Sequence, residues 1–176
     1  LPKKLTLLSL SNNSLCRYSH SEQVQIISSL PKQLKHLDLA NIELWRLMSN
    51  NLSQLFAVLP TSLVSLNLSH NGLCCFSAQE LLQTFSNLCT DHLTSLFLSA
   101  NHFKESQIVA LLPFFASSKI KLLELKSTRL QNDNGYKDLS KEISYQIQKI
   151  LWSNRKKSLI NPKPANDSKI YSLQAL

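Results

Sequence analysis

Glycine occurs only twice in the 176 residues, at Gly72 and Gly135. That scarcity excludes a glycine-rich phosphate loop, which needs several small residues together so that backbone N–H groups can reach an anion. Neither a Cys-x-x-Cys pair nor a His-Glu-x-x-His run is present, so no cofactor and no metal is expected. Long apolar runs are missing as well: no stretch of 18 apolar residues exists, and no transmembrane helix is expected. The opening "LPKKL" has no methionine and no basic-then-apolar segment, so it does not read as a signal peptide.

Acidic residues are few: 11 Asp+Glu against 19 Lys+Arg, a formal net charge of +8. The imbalance is local. Residues 119–176 hold 12 basic and 5 acidic side chains, or +7, whereas residues 1–118 hold 7 and 6, or +1. The basic C-terminal segment therefore stands apart from a nearly neutral body.

What the chain has in abundance is leucine in a recurring order. "LTLLSLSNNSL" from Leu5, "LKHLDLANIEL" from Leu34, "LVSLNLSHNGL" from Leu63, "LTSLFLSANHF" from Leu93 and "IKLLELKSTRL" from Ile120 share one template. Their starts at 5, 34, 63, 93 and 120 are separated by 29, 29, 30 and 27 residues. A fixed period of this length marks an array of stacked units. Leu1-Pro2 stand before Leu5 as Leu30-Pro31 stand before Leu34 and Leu59-Pro60 before Leu63, so a truncated repeat is expected to begin the chain, with more sequence upstream.

Within each copy leucine alternates with small or polar residues, the period-2 signature of a strand with one buried face. Leu96 and Leu98 are expected inside, with Ser95, Phe97 and Ser99 outside and Leu93 and Phe103 closing the turn. Leu52, Leu55, Phe56 and Leu59 show helical spacing, and Ser19-His-Ser-Glu22 and Ser77-Ala-Gln-Glu80 have capping-box spacing. Strand, helix and return imply parallel pairing with the next strand. The template asparagine, Asn13, Asn71 and Asn101, can donate and accept where the strand turns away. Ile42 and Thr128 replace it in two copies, and the Ile42 rung should be looser or rescued by Asn41. Pro113 should cut the fourth helix short and leave "PFFASS" irregular.

After Leu130 the template ends. "NDNG" at 132–135 reads as a turn, and a helix is expected from about Tyr136 to Lys157, with Leu139, Ile143, Ile147, Ile150 and Leu151 on one stripe. The division is therefore residues 1–130 as repeats, 131–157 as a C-terminal cap and 158–176 as a tail in which Ile170, Tyr171 and Leu173 are expected to dock on the cap. Cys16 and Cys74 share a template position two rungs apart, with Trp45 between. Two strand spacings of about 4.8 Å exceed the roughly 7 Å reach of a disulfide, so free thiols and a reducing compartment are expected.

With strand, asparagine turn, helix and a period near 29, the chain resembles the leucine-rich-repeat family, in its ribonuclease-inhibitor-like branch. The resemblance implies an α/β fold: a right-handed solenoid with a parallel concave sheet and convex helices. Copies of the form "LPxxLxSLxLSxNxL", as in Leu59 to Leu73, also look like leucine-rich-repeat effectors that intracellular Gram-negative bacteria inject into host cells. That implies a secreted virulence protein acting in the host cytoplasm. In such effectors an apolar residue near the end can serve translocation, and Leu173 is placed for it, although the tail has no glutamate cluster.

The family implies recognition of a partner protein on the concave face. The template places three outward columns: Leu7, His36, Ser65, Ser95 and Leu122; Ser9, Asp38, Asn67, Phe97 and Glu124; Ser11, Ala40, Ser69, Ser99 and Lys126. Partner-binding candidates are His36, Asp38, Asn67, Phe97, Leu122, Glu124 and Lys126, with an exposed Phe97 beside Asn67 and Glu124 as the anchor. His36 and Asp38 read as a solvated polar pair because no third ligand accompanies them. With two acids and a lysine in the columns, the strongly acidic surface that a ribonuclease inhibitor needs is absent.

Cys89-Thr-Asp91 has the Cys-x-Asp form of one class of bacterial ubiquitin ligases, but inside a repeat rather than in a separate helical domain, and no enzyme is expected. The basic stretch 154–169 offers a second reading, an adaptor for nucleic acid or anionic lipid, against the plainer role of cations at a helix end. Asn-x-Ser/Thr triplets such as Asn67-Leu-Ser69 read as chance, since a glycan there would block the sheet.

Overall fold

The structure, a computed structural model, describes residues 4–89, 91–125 and 141–156, together with the backbone of 130–132, 135–137 and 157–159. Each template copy forms one short strand: β1 (Leu7–Ser9), β2 (His36–Asp38), β3 (Ser65–Asn67), β4 (Ser95–Phe97) and β5 (Leu122–Glu124). They pair in parallel in chain order, with Leu8, Leu37, Leu66, Leu96 and Leu123 in one register row. From Leu37 on, those leucines are at most 2% exposed, and Leu39, Leu68 and Leu98 beside them at most 1%. The period-2 alternation thus divides a dry interior from an outward face, as expected.

The ladder continues past the strand ends. Leu39, Leu68 and Leu98 N–H donate to the Asn67, Phe97 and Glu124 carbonyls at 2.8–2.9 Å. The chain then turns through a left-handed residue at Asn12, Asn41, His70 and Ala100, with φ of 53–58°. A second left-handed residue follows the template position at Glu43, Gly72 and His102. Between these two, Asn71 and Asn101 are fully buried. Asn101 Nδ2 donates to Leu98 O in its own rung and Leu68 O in the rung before, both at 2.9 Å, and its Oδ1 accepts from Asn71 N at 2.9 Å. Asn71 does the same one rung earlier, to Leu68 O, Leu39 O and Ile42 N.

This corrects the expectation at Ile42. Its rung is held by Asn71, not by Asn41, whose side chain instead meets exposed Asn12 at 2.9 Å. Because each asparagine reaches backward along the stack, substituting Ile42 removes the link to the preceding rung. Asn13 there is exposed and bonds only Leu10 O and Ser11 O among the described contacts.

On the other side lie α1 (His20–Ser28), α2 (Ser49–Ala57), α3 (Ala78–Ser86) and α4 (Glu105–Ser117). Helices about 10 Å across on one side and strands about 4.8 Å apart on the other bend the stack so that the sheet lines its inner face. Both capping boxes form, with Ser19 and Ser77 as N-caps and Glu22 and Glu80 returning to the cap N–H at 2.7 and 2.8 Å. Phe56, Phe85 and Phe114 stack edge to face at 5.5 and 5.4 Å between centroids.

Pro113 does not shorten its helix. α4 runs through it for 13 residues. The proline is exposed and so is Val109, the residue whose carbonyl it leaves without an intrahelical donor, so water can solvate that oxygen.

The C-terminal cap also differs from its expected course. β6 (Leu130–Asn132) and β7 (Gly135–Lys137) form an antiparallel pair, Asn132 opposite Gly135, and α5 spans Lys141–Leu159. Tyr136 is thus in a strand, and the helix begins five residues later than expected. The antiparallel pairing takes up backbone groups of 135–137 that a helix would have used. Ile143, Ile147 and Leu151 are 5–8% exposed against the last repeat. Asn154, 4% exposed, donates to Phe115 O and Ile120 O at 3.0 and 2.9 Å. A buried amide on the cap helix thereby satisfies carbonyls at the end of the stack, as Asn71 and Asn101 do within it. Thr128, Leu139 and the tail positions Ile170, Tyr171 and Leu173 lie outside the described residues.

Candidate functional site

Strand register turns the outward columns into physical rows. Leu7, His36, Ser65, Ser95 and Leu122 lie side by side, as do Ser9, Asp38, Asn67, Phe97 and Glu124. Much of the second row is tied down. Asp38 Oδ1 accepts from Ala40 N and Oδ2 from the Ser9 hydroxyl, each at 3.0 Å. Asn67 Oδ1 accepts from Ser69 N at 3.0 Å, and Glu124 Oε1 from the Ser99 hydroxyl at 3.0 Å. Asp38 and Asn67 fold back on the backbone two residues ahead, which is why Asp and Asn suit the position, whereas Glu124 reaches a hydroxyl of the preceding rung.

His36 is exposed in the row beside them, and the Asp38 carboxylate is engaged by Ser9 and Ala40 rather than shared with it. Among the described residues no group of three or more His, Cys, Asp or Glu side chains is placed to hold a metal ion.

Phe97 is a correction. It is half-buried, not exposed, because the neighbouring rungs flank its ring, and it lines a shallow groove with Leu7, His36, Asp38, Ser65 and Asn67. The most open apolar side chain of this face is Leu7, 63% exposed at the other end of the groove. Leu7 stood in the outward column but not among the partner-binding candidates. The signal was there: it is a leucine in a column that is elsewhere mostly His and Ser. Leu122 and Glu124 are half-buried at the opposite end, and Lys126 lies outside the described residues.

Spacing did not single out a second set of side chains on the turn edge. Trp45, Tyr18 and Met48 are 46%, 52% and 76% exposed, with the Arg46 guanidinium 4.7 Å from the Trp45 ring centre and 3.1 Å from Glu43. All four cysteines are free thiols. Burial pushes the Cys16 thiol up from its ordinary value, reinforced by the Glu43 carboxylate that accepts from it at 2.9 Å. Burial likewise raises Cys74, with Cys75 beside it. Cys89 sits 3.9 Å from Asp91 Oδ2 in the return after α3. In the basic stretch, Asn154 and Arg155 bond repeat carbonyls, Arg155 reaching Lys121 O at 3.1 Å, so these two serve the cap.

In-register parallel strands on the inside, helices outside and an asparagine ladder between them define a leucine-rich-repeat solenoid protein. The chain superposes on the leucine-rich-repeat-containing protein LegL7 of Legionella pneumophila with a TM-score of 0.70 and 28% identity, over 88% of its own length and 47% of LegL7. It therefore spans about half of that protein. The tropomodulin C-terminal domain of Caenorhabditis elegans shares the fold at a TM-score of 0.59 and 15% identity, with 90% and 89% of the two chains covered. No family model and no curated protein sequence matches. Among the described residues no helix is long and apolar enough to cross a membrane.

Proposed function

We propose that this chain is a non-enzymatic protein-interaction module that holds a partner protein on its concave face, as part of a bacterial effector acting in the host cytoplasm. The observation that carries the reading is the groove itself. Leu7 and Phe97 bracket His36, Ser65 and Asn67 on a sheet held in register by buried asparagines, so an apolar anchor pair sits on a preorganised surface. Glu124 extends the face beyond Phe97. The effector part of the proposal rests on the likeness to a Legionella leucine-rich-repeat protein.

The test is affinity capture from host-cell lysate with the wild type against a Phe97→Ala/Glu124→Ala variant, with Leu7→Glu in parallel. Loss of a protein that the wild type captures supports the site. An unchanged set of captured proteins for all three rejects it. Delivery is tested separately by fusing the chain to a translocation reporter and scoring signal in host cells.

A further inference from the structure

The cap helix α5 presents a second surface, on the side away from the repeats. Ile147 and Asn154 mark its buried line. At about 100° per residue, Tyr145, Lys149, Trp152 and Lys156 fall within about 30° of the opposite line and Lys141 about 50° from it. All five are exposed, Tyr145 by 62% and Trp152 by 57%. The Lys156 ammonium lies 3.9 Å from the Trp152 ring centre. The stripe is about 22 Å long at 1.5 Å per residue. Glu142, at its edge, is the one acid in α5 and accepts from Gln146 at 3.1 Å.

A solubilising helix face mixes charges of both signs and hides its indoles. This one alternates cations with exposed aromatics that combine an apolar body with a polar tip, the pairing that sits well at a lipid headgroup boundary. Lysine stems can lie along the acyl boundary while the ammonium groups stay among phosphates. Duplex nucleic acid fits less well, because its phosphates and groove edges are met by basic and small polar side chains and offer no apolar phase for the exposed Tyr145 and Trp152.

We propose that the Lys141–Tyr145–Lys149–Trp152–Lys156 stripe docks on a membrane leaflet rich in anionic lipid headgroups. The inference is independent of the concave-face reading and survives its failure.

The test is co-sedimentation of the full chain with phosphatidylcholine vesicles containing about 30 mol% phosphatidylserine, against pure phosphatidylcholine, at low and physiological salt. Binding is expected to the anionic vesicles only and to fall with salt. Each lysine near the surface is worth about fivefold in affinity, so Lys149→Glu/Lys156→Glu should weaken it by twenty-fold or more. In a Trp45→Phe background, Trp152 emission should shift to the blue and become shielded from acrylamide on anionic vesicles. Four results overturn the proposal: no sedimentation at low salt, sedimentation unchanged by the double reversal in a protein with an unaltered melt, vesicle binding without a Trp152 shift, or tighter binding to duplex DNA or single-stranded RNA than to vesicles.

Discussion

Replacing Asn71 with alanine should be among the most damaging single polar changes in this chain, and the damage can be worked out bond by bond. The substitution removes donors to Leu39 O, Leu68 O and Ser69 O at 2.8, 3.1 and 3.2 Å and an acceptor for Ile42 N and Leu44 N at 3.0 and 3.4 Å. Leu68 O keeps the Asn101 amide at 2.9 Å, and Ser69 O keeps Asn41 N–H at 3.0 Å. Leu39 O, Ile42 N and the weakly held Leu44 N have no second partner among the described bonds. A buried group left without one costs about 1–3 kcal/mol, so the two strong losses amount to about 2–6 kcal/mol, a large share of a stability of about 5–15 kcal/mol.

Asn13→Ala is the control. Its two bonds, to Leu10 O and Ser11 O at 3.0 and 3.1 Å, lie at the surface, where water replaces them, and its cost should stay under about 1 kcal/mol. Urea unfolding followed by far-UV circular dichroism separates the two. With a slope of about 2 kcal/mol/M, Asn71→Ala should lower the midpoint by about 1–3 M and Asn13→Ala by less than about 0.5 M. Midpoints that coincide would show that the buried amide is not what joins the rungs.

The capping boxes give a pH-dependent test. Hydrogen bonds from the Ser19 hydroxyl and backbone hold the Glu22 carboxyl below its ordinary range, and the Ser77 backbone and hydroxyl do so for Glu80. A depressed carboxyl stabilises the fold at neutral pH and loses that contribution as pH falls through the carboxylate range. Ser19→Ala and Ser77→Ala should therefore each cost about 1 kcal/mol at pH 7 and clearly less near pH 3, read from thermal melts. Gly72→Ala forces a side chain into φ +61° with its Cβ 2.9 Å from Trp45 Cβ, so it should cost more than the roughly 1–2 kcal/mol of a left-handed residue alone and shift Trp45 fluorescence. Iodoacetamide at pH 8 should label exposed Cys75 before Cys16, whose raised thiol is mostly protonated, and peptide mapping gives the order.

The strand register was legible because it is carried by residues that must repeat. Leu37, Leu66 and Leu96 bury at the period of the stack, and so do Ile27, Phe56, Phe85 and Phe114, spaced 29 apart in the sequence. What escaped was set by direction in space. Asn71 reaches back to residue 42, so the neighbour that rescues Ile42 lies 29 positions away while Asn41, adjacent in sequence, points to the surface. The effect of Pro113 turned on which side of α4 the freed carbonyl faces, and a sequence does not carry that. On the concave face, membership of a column could be read from alternation. How open each member is depended on its place in the sheet: Leu7 on the edge strand has a neighbour on one side only, and Phe97 has strands on both, which reversed their order.

The same geometry separates side chains that hold the face from side chains free to define a partner. In the second row, Asp38 and Asn67 each accept from the N–H two residues ahead, so replacing either disturbs the turn as well as any interface. Phe97 occupies that row without an acceptor to offer, exchanging a backbone bond for a ring on the groove. Leu7 has no polar group in its side chain, and the His36 side chain makes no hydrogen bond among the described contacts, so neither ties the turn as Asp38 and Asn67 do. Loss of binding on changing Asp38 or Asn67 is thus ambiguous between recognition and scaffold. Loss on changing Leu7, His36 or Phe97 in a protein that melts normally is not, and those three positions are where a partner's specificity should be sought.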